Sequence, residues 1–158
     1  MKALSLRPPW GNAVLYLGKS IENRRWNTAF RGEFLIHAAK IMTEGGWSDA
    51  CEFCEGALGV PRKNEILAAL GRDPERSILR GGIVGRACLV DVVPPRLTEV
   101  SIESHYPKNL PANAWRWHMR EQYGFVLEAI TPLPFTPWPG KLNFFNVPFD
   151  RDGQREAA

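Results

Sequence analysis

Alternating and helical spacings of apolar residues divide the N-terminal quarter of the chain into four elements. KALSL, residues 2–6, alternates polar and apolar positions and predicts a short strand, which the two prolines that follow cannot continue. Apolar residues then recur at helical spacing over residues 9–18, which predicts a helix with Gly18 as its stop. SIENRRW, residues 20–26, and GEFLIHAA, residues 32–39, predict two further strands.

The rest of the chain predicts a helical stretch between two groups of strands. Residues 42–79 show the spacing of two helices, and Thr43 is a candidate cap for the first. Residues 81–93 read as a long strand whose glycines permit a bulge or a close backbone approach. Extended segments follow from Tyr123 and over 141–148. About five or six strands, with helices that do not alternate regularly with them, predict an α+β fold built on a small mixed β-barrel.

Length and composition predict one soluble domain. The chain has 158 residues, enough to bury a core, and we expect residues 1–150 to form a single domain. Residues 151–158 are polar and aperiodic, which predicts a disordered tail. No apolar run is long enough to cross a membrane, and three cysteines are an odd count that argues against a disulfide scaffold. We therefore expect a cytoplasmic protein.

The positive charge is concentrated near the N-terminus. The formal net charge is only +3, yet residues 1–40 carry seven basic and two acidic residues. Such a local patch attracts phosphate even when the net charge is modest. Chance clustering in a short segment is the alternative.

The common catalytic and metal-binding motifs are absent. Cys51 and Cys54 have the spacing of a zinc half-site, but no second pair of ligands exists, so packing on a helix is the better interpretation. There is no Walker loop, GxSxG or HExxH. His37 lies in an apolar strand, which favours a hydrogen-bonded core histidine over a catalytic base. Neither a metal nor a cofactor is expected.

One group of charged residues does suggest chemistry. Lys19, Glu22 and Arg24 lie on or near one face of a predicted strand, and Lys40 ends its neighbour. A lysine beside a carboxylate in a partly buried pocket can exchange a proton near neutral pH, while an arginine binds phosphate and a carboxylate accepts from a base amino group. An exposed ion-pair network is the open alternative. The site hypothesis requires Lys19 and Glu22 to lie in a concave pocket.

Three phrases in order resemble the ASCH domain family: LSLRPPW, then GKSIENR with its GxKxxE spacing, then GEFLIHAAK. Residues 81–93 resemble the central strand of the family, and residues 123–148 resemble its C-terminal pair of strands. The resemblance covers most of residues 3–148 and leaves 42–79 as a variable insertion. It implies a PUA-like β-barrel and a link to RNA.

The family resemblance also implies a cleft between the barrel and the first helix, lined by the lysine and glutamate of GKSIENR. The candidate catalytic residues of this chain are Lys19 and Glu22 of that segment together with Lys40. The candidate nucleic-acid or ligand contacts, chosen for their chemistry and their position near the expected cleft, are Arg7, Trp10, Arg24, Tyr123 and Lys141. The expected partner is RNA or a nucleoside or nucleotide, with no membrane involved.

Hydrolysis and simple binding are both open from the resemblance. Some ASCH proteins resemble amidohydrolases that deacetylate acetylated cytidine with a lysine, a threonine and a glutamate, and others are reported to cut RNA. Lys19 matches the lysine, but Glu22 occupies the position of the threonine. A nuclease could use Lys19 and Lys40 to stabilise the phosphate, assisted by a hydroxyl of Tyr123 or Ser20. The alternative is a non-catalytic RNA-binding or protein-interaction module.

Overall fold

The computed structural model describes residues 1–59, 63–72, 78–95 and 113–155, and these form a six-stranded mixed sheet with three short helices. The strands are β1 Lys2–Leu6, β2 Ile21–Arg24, β3 Gly32–Ala38, β4 Gly82–Val93, β5 Tyr123–Pro137 and β6 Phe144–Asn146. The helices are α1 Trp10–Tyr16, α2 Gly46–Leu58 and α3 Lys63–Leu67, which continues as a π-helical segment over Ala68–Arg72, and a 3₁₀ turn covers Ala114–Trp117. Within these residues no helix has the length and apolarity to span a membrane.

The sheet is curled into a half-barrel. Its strand order is β2-β5-β4-β3-β1-β6, and β1 pairs with β3 in parallel while the other pairs are antiparallel. Three strands separate β5 from β6 in this order, yet the stacked rings of Phe125 and Phe144 are only 6.3 Å apart. Only a strongly curved sheet brings these positions together, because neighbouring strands are about 4.8 Å apart. The predicted α+β fold with five or six strands is therefore confirmed.

The glycines of β4 allow close approaches, as the sequence predicts. A Cβ atom on Gly82 would lie 2.5 Å from the carbonyl oxygen of Thr136 on β5, and one on Gly85 would lie 2.5 Å from the side chain of Leu15. The β4–β5 register also shifts between Ile83 and Gly85. Leu15 follows the buried core positions of α1, so the glycine lets this helix sit close against the sheet.

The prediction that Thr43 caps the first insertion helix is wrong. Helix α2 begins at Gly46, and its N-cap is Gly45, whose φ of 77° places it in the left-handed region without a side-chain capping bond. The carbonyl of Thr43 instead accepts a hydrogen bond from the Gly46 amide, 3.0 Å away. The chain therefore makes a tight turn before the helix, and this turn requires glycine at position 45.

The cysteine pair packs on α2, as expected. Cys51 and Cys54 are both buried in a cluster with residues of α1, α3 and β5. Burial raises the pKa of Cys54 to about 11, although nearby Lys19 opposes the shift. A thiol with such a pKa is almost wholly protonated at neutral pH, so it is a poor nucleophile. Among the described residues no group of His, Cys, Asp or Glu could hold a metal ion.

Two residues of the C-terminal segment form ion pairs with the sheet. Arg151 forms an ion pair with Glu33 at 3.1 Å, and Asp152 forms one with Arg86 at 2.8 Å. These charged side chains have partners on β3 and β4 that the local sequence does not reveal. The disordered tail stays a prediction. Residues 156–158 lie outside the described part of the chain.

Candidate functional site

The turn after α1 directs Lys19 back beneath the helix. Gly18 has a φ of 72°, a left-handed conformation that glycine adopts readily. The turn lets the Lys19 amide donate to the carbonyl of Ala13 at 3.2 Å. As a result, the Lys19 side chain enters the space between α1 and β2, and it is only 1% exposed.

Lys19 and Glu22 form a buried ion pair. The Nζ atom of Lys19 donates to the Glu22 carboxylate at 2.8 Å and to the Ile21 carbonyl at 2.6 Å. It also lies 5.6 Å from the ring centroid of Trp10, a cation–π distance. The bonds to Glu22 and Ile21 use two of the three N–H donors of Lys19.

Arg24 contacts the other oxygen of the same carboxylate. Its Nε atom lies 3.3 Å from Oε1 of Glu22, and its Nη2 atom donates to the Ser5 carbonyl at 2.5 Å. Glu22 and Arg24 are two residues apart on β2, so strand alternation places them on one face, as predicted. Glu22 therefore lies between two cations, and each carboxylate oxygen retains a lone pair that can accept from a ligand.

The segment after the 3₁₀ turn forms the opposite wall of the site. The Asn23 side chain donates to the carbonyl of Trp117 at 2.9 Å and accepts from the amide of Met119 at 2.7 Å. These two bonds hold residues 117–119 against β2 across more than 90 positions of sequence. Met119 and Gln122 consequently face the charged group.

A cavity of about 470 Å³, called here the first cavity, lies between these elements. Its lining combines the buried pair with aromatic and basic side chains, and comprises Arg7, Trp10, Lys19, Glu22, Asn23, Arg24, Arg25, Trp26, Met119 and Gln122. The concave pocket that the site hypothesis requires is therefore present. The lining contains no hydroxyl, thiol or imidazole side chain among the described residues.

A larger cavity, of about 1090 Å³, lies on the other side of Arg24 and is called here the second cavity. The two cavities share Arg7, Arg24 and Trp26 in their linings. Lys40 and Lys141 line the second cavity and not the first. The structure thus separates Lys40 from the Lys19–Glu22 pair with which the sequence grouped it.

Tyr123, like the other candidate hydroxyl residue Ser20, lines neither of these cavities. It pairs with Arg24 across the β2–β5 ladder, and its side chain packs against the core cluster that includes Phe125 and Trp26. Conversely, the sequence missed Asn23, Arg25, Met119 and Gln122 as lining residues. The basic charge of the segment around Arg25 could have indicated that this residue belongs to the site. Met119 and Gln122 are brought to the first cavity only by the tertiary structure.

His37 forms hydrogen bonds with two residues that line the second cavity. It is buried, its Nδ1 atom lies 3.0 Å from Ser5 Oγ, and its Nε2 atom lies 2.8 Å from the Trp138 carbonyl. A carbonyl only accepts, so Nε2 carries the proton and Nδ1 accepts from the serine hydroxyl. The prediction of a hydrogen-bonded core histidine is confirmed. Burial lowers the pKa of His37 from 6.5, and the bond to Trp138 partly offsets this effect.

The lowered pKa of His37 predicts a loss of stability on mild acidification. As the pH falls below 6.5, the unfolded chain takes up a proton on this histidine before the folded protein does. The contribution of the neutral His37 to the free energy of unfolding is therefore complete above pH 6.5 and decreases as the pH falls towards the folded pKa. The free energy of unfolding should therefore decrease between pH 7.5 and 5.5 by more in the wild type than in His37→Gln. Urea unfolding across this range measures both curves. The same change in the free energy of unfolding with pH in both proteins would contradict a lowered pKa of His37 in the folded state.

A family model described as ASCH domain matches residues 4–134, which is most of the chain. It spans the first cavity and the GKSIENR segment that provides its floor. No curated protein matches the chain.

Proposed function

Since the chain belongs to the ASCH domain family, whose members are generally RNA-binding, we propose that it binds single-stranded RNA in the first cavity. The observation that carries this proposal is the buried carboxylate of Glu22, held between Lys19 and Arg24 at the floor of a cavity with further arginines in its lining. Such a carboxylate accepts from the amino group of a base, while the arginines bind the phosphates on either side.

The dimensions of the first cavity favour an unpaired nucleotide. A volume of about 470 Å³ lies within the range of small-ligand pockets, and the lining includes the buried Lys19 and Glu22. Bases in a duplex are stacked and cannot enter such a pocket, whereas bases of a single strand can turn outwards. The half-buried indole of Trp10 provides a surface on which such a base stacks.

The charges on the first cavity divide into two roles. Arg7 and Arg25 are both exposed, so they can reach the phosphate backbone of a bound RNA strand. Lys19 and Glu22 are buried, so they can contact only the part of a ligand that enters the cavity. Affinity is thus assigned mainly to the arginines and base preference to the buried pair.

The lining of the first cavity favours binding over covalent catalysis. Neither Tyr123 nor Ser20, the two hydroxyl candidates, lines it, and Glu22 occupies the position at which the amidohydrolase type has a threonine. Any hydrolysis here would have to use water, with Glu22 as general base and Lys19 or Arg24 stabilising the developing charge. We therefore propose a binding module.

Arg25→Ala tests the proposal with little risk to the fold, because this side chain is exposed. The variant should bind a labelled single-stranded RNA octamer several-fold more weakly, and the slope of log K against log salt should fall by ~0.7 for one lost phosphate contact. Fluorescence anisotropy at three salt concentrations measures both quantities.

Arg151→Ala is the matched control for Arg25→Ala. It also removes an arginine, but one that pairs with Glu33 and lines neither cavity. Equal affinities of the two variants, or no binding by the wild type at low salt, would refute the proposal. Shortened RNA, or free acetate from acetylated cytidine, after incubation with the wild type would instead identify a hydrolase.

A further inference from the structure

The second cavity has the charge of an anion site. Its lining includes four basic side chains, those of Arg7, Arg24, Lys40 and Lys141, and no acidic one among the described residues. The first cavity differs because Glu22 lies at its floor. A ligand of the second cavity therefore meets concentrated positive charge with no carboxylate to offset it, which favours a phosphate-bearing compound.

Arg24 is the partition between the two cavities. Its guanidinium donates to Ser5 on the side of the second cavity, and its Nε faces Glu22 in the first. The bond to Ser5 uses one of its five N–H donors, and the buried Nε–H has no hydrogen-bond partner among the described residues although Glu22 is near. Arg7 lines both cavities and is exposed. An anion placed over this pair of arginines would thus lie at the boundary between the cavities.

The second cavity also offers flat and apolar surfaces. Trp26 and Trp138 line it and are both only half-buried. Two aliphatic side chains, Ile41 and Leu142, are 76% and 90% exposed among its lining residues. Large exposed aliphatic groups are unfavourable in water, and here they would contact the faces of a bound base or sugar. The cavity thus combines phosphate-binding and base-stacking groups.

The wall that carries Trp138 and Lys141 is held in place before any ligand arrives. His37 is bonded to the Trp138 carbonyl and to Ser5. A Cβ atom on Gly140 would lie 2.5 Å from the His37 ring, so this loop rests directly on the histidine. A preformed wall spares a ligand the entropy of ordering it.

We propose, on the basis of the RNA-binding function above, that the second cavity binds the next nucleotide of the same RNA strand. Arg7 and Arg24 hold the phosphate that joins the two nucleotides. Lys40 and Lys141 hold the phosphate beyond it, and the second base lies against Trp138. The bound unit is then at least a dinucleotide, one nucleotide in each cavity.

A comparison of short and long ligands tests this second subsite. The probes are cytidine 5′-monophosphate and a trinucleotide of cytidines, measured with the wild type and with the double variant Lys40→Ala/Lys141→Ala. The double variant should bind the trinucleotide roughly tenfold more weakly, with a salt slope lower by ~0.7 because the two lysines hold one phosphate. Its affinity for the monophosphate should change by less than about twofold, since the first cavity is intact.

The double variant Lys2→Ala/Arg151→Ala controls for the loss of two positive charges, because neither residue lines the first or the second cavity. In nuclear magnetic resonance, the indole N–H signal missing from Trp138→Phe identifies Trp138, and this signal should shift with the trinucleotide but not with the monophosphate. Equal effects of the two double variants, or an unshifted Trp138 signal, would overturn the second subsite alone. Failure of the wild type to bind either probe would overturn RNA binding itself.

Discussion

Lys19→Met is expected to lower the free energy of unfolding by about 3–5 kcal/mol, the usual cost of breaking a buried ion pair. Methionine retains the volume of the lysine stem but removes the ammonium group that contacts Glu22 at 2.8 Å. The two side chains are 1% and 9% exposed, so water cannot replace the lost contact without a rearrangement. Arg24 remains 3.3 Å from the carboxylate and limits the loss. Urea unfolding at pH 7 measures it.

A double variant tests whether Lys19 and Glu22 contribute to the free energy of unfolding as a pair. Lys19→Met/Glu22→Leu removes both charges, and its stability should recover at least half of the loss, because a buried ion pair and well-packed apolar residues contribute similarly. Lys2→Met is the control, since Lys2 makes only an exposed bond to Asn146 and the change should stay within about 0.5 kcal/mol. A loss below about 1 kcal/mol in Lys19→Met, or strict additivity in the double variant, would show that the two side chains do not act as a buried unit.

Glu22→Gln is expected to remove a preference for cytosine over uracil. The carboxylate accepts from the amino group of cytosine but repels the carbonyl oxygen that uracil has at the same position, and such a contact contributes about 1–3 kcal/mol of discrimination. The wild type should therefore bind oligocytidine at least roughly tenfold more tightly than oligouridine. A glutamine amide can donate or accept, so the variant should bind both with similar affinity.

The ratio of the two affinities is the quantity to measure for Glu22→Gln. Partial unfolding lowers both affinities equally and leaves their ratio unchanged, so the ratio reports base recognition and not stability. Glu33→Gln is the matched control, because that carboxylate pairs with Arg151 and lines neither cavity. An unchanged ratio in Glu22→Gln would exclude the carboxylate from base recognition.

The elements near the site could be predicted because each depends on neighbouring residues. Helix α1 occupies Trp10–Tyr16 and is followed by Gly18 in a left-handed turn, and β5 begins at Tyr123, both as the spacing of apolar residues indicates. The same is true of Glu22 and Arg24, which share a face because they are two residues apart on β2. The number of strands and their irregular alternation with helices predicted the small mixed β-barrel, and the family resemblance implied its PUA-like form.

Positions that depend on distant segments could not be predicted. Lys40 was grouped with Lys19 because both are basic and near the same strands, yet the two side chains line different cavities. The sequence suggests Tyr123 for the cleft because it has a hydroxyl, yet its side chain packs against the aromatic core. Alternation along a strand identifies two faces but does not say which of them meets a cavity.

The sequence by itself determined the local elements, the basic N-terminal segment and the face shared by Glu22 and Arg24, since backbone geometry and residue spacing decide these. Only the tertiary structure decided that Lys19 is buried, that Asn23 binds residues 117–119 and that Arg24 separates two cavities. Those features depend on the curvature of the sheet and on contacts between segments up to about a hundred residues apart. Short-range patterns carry no information about such contacts.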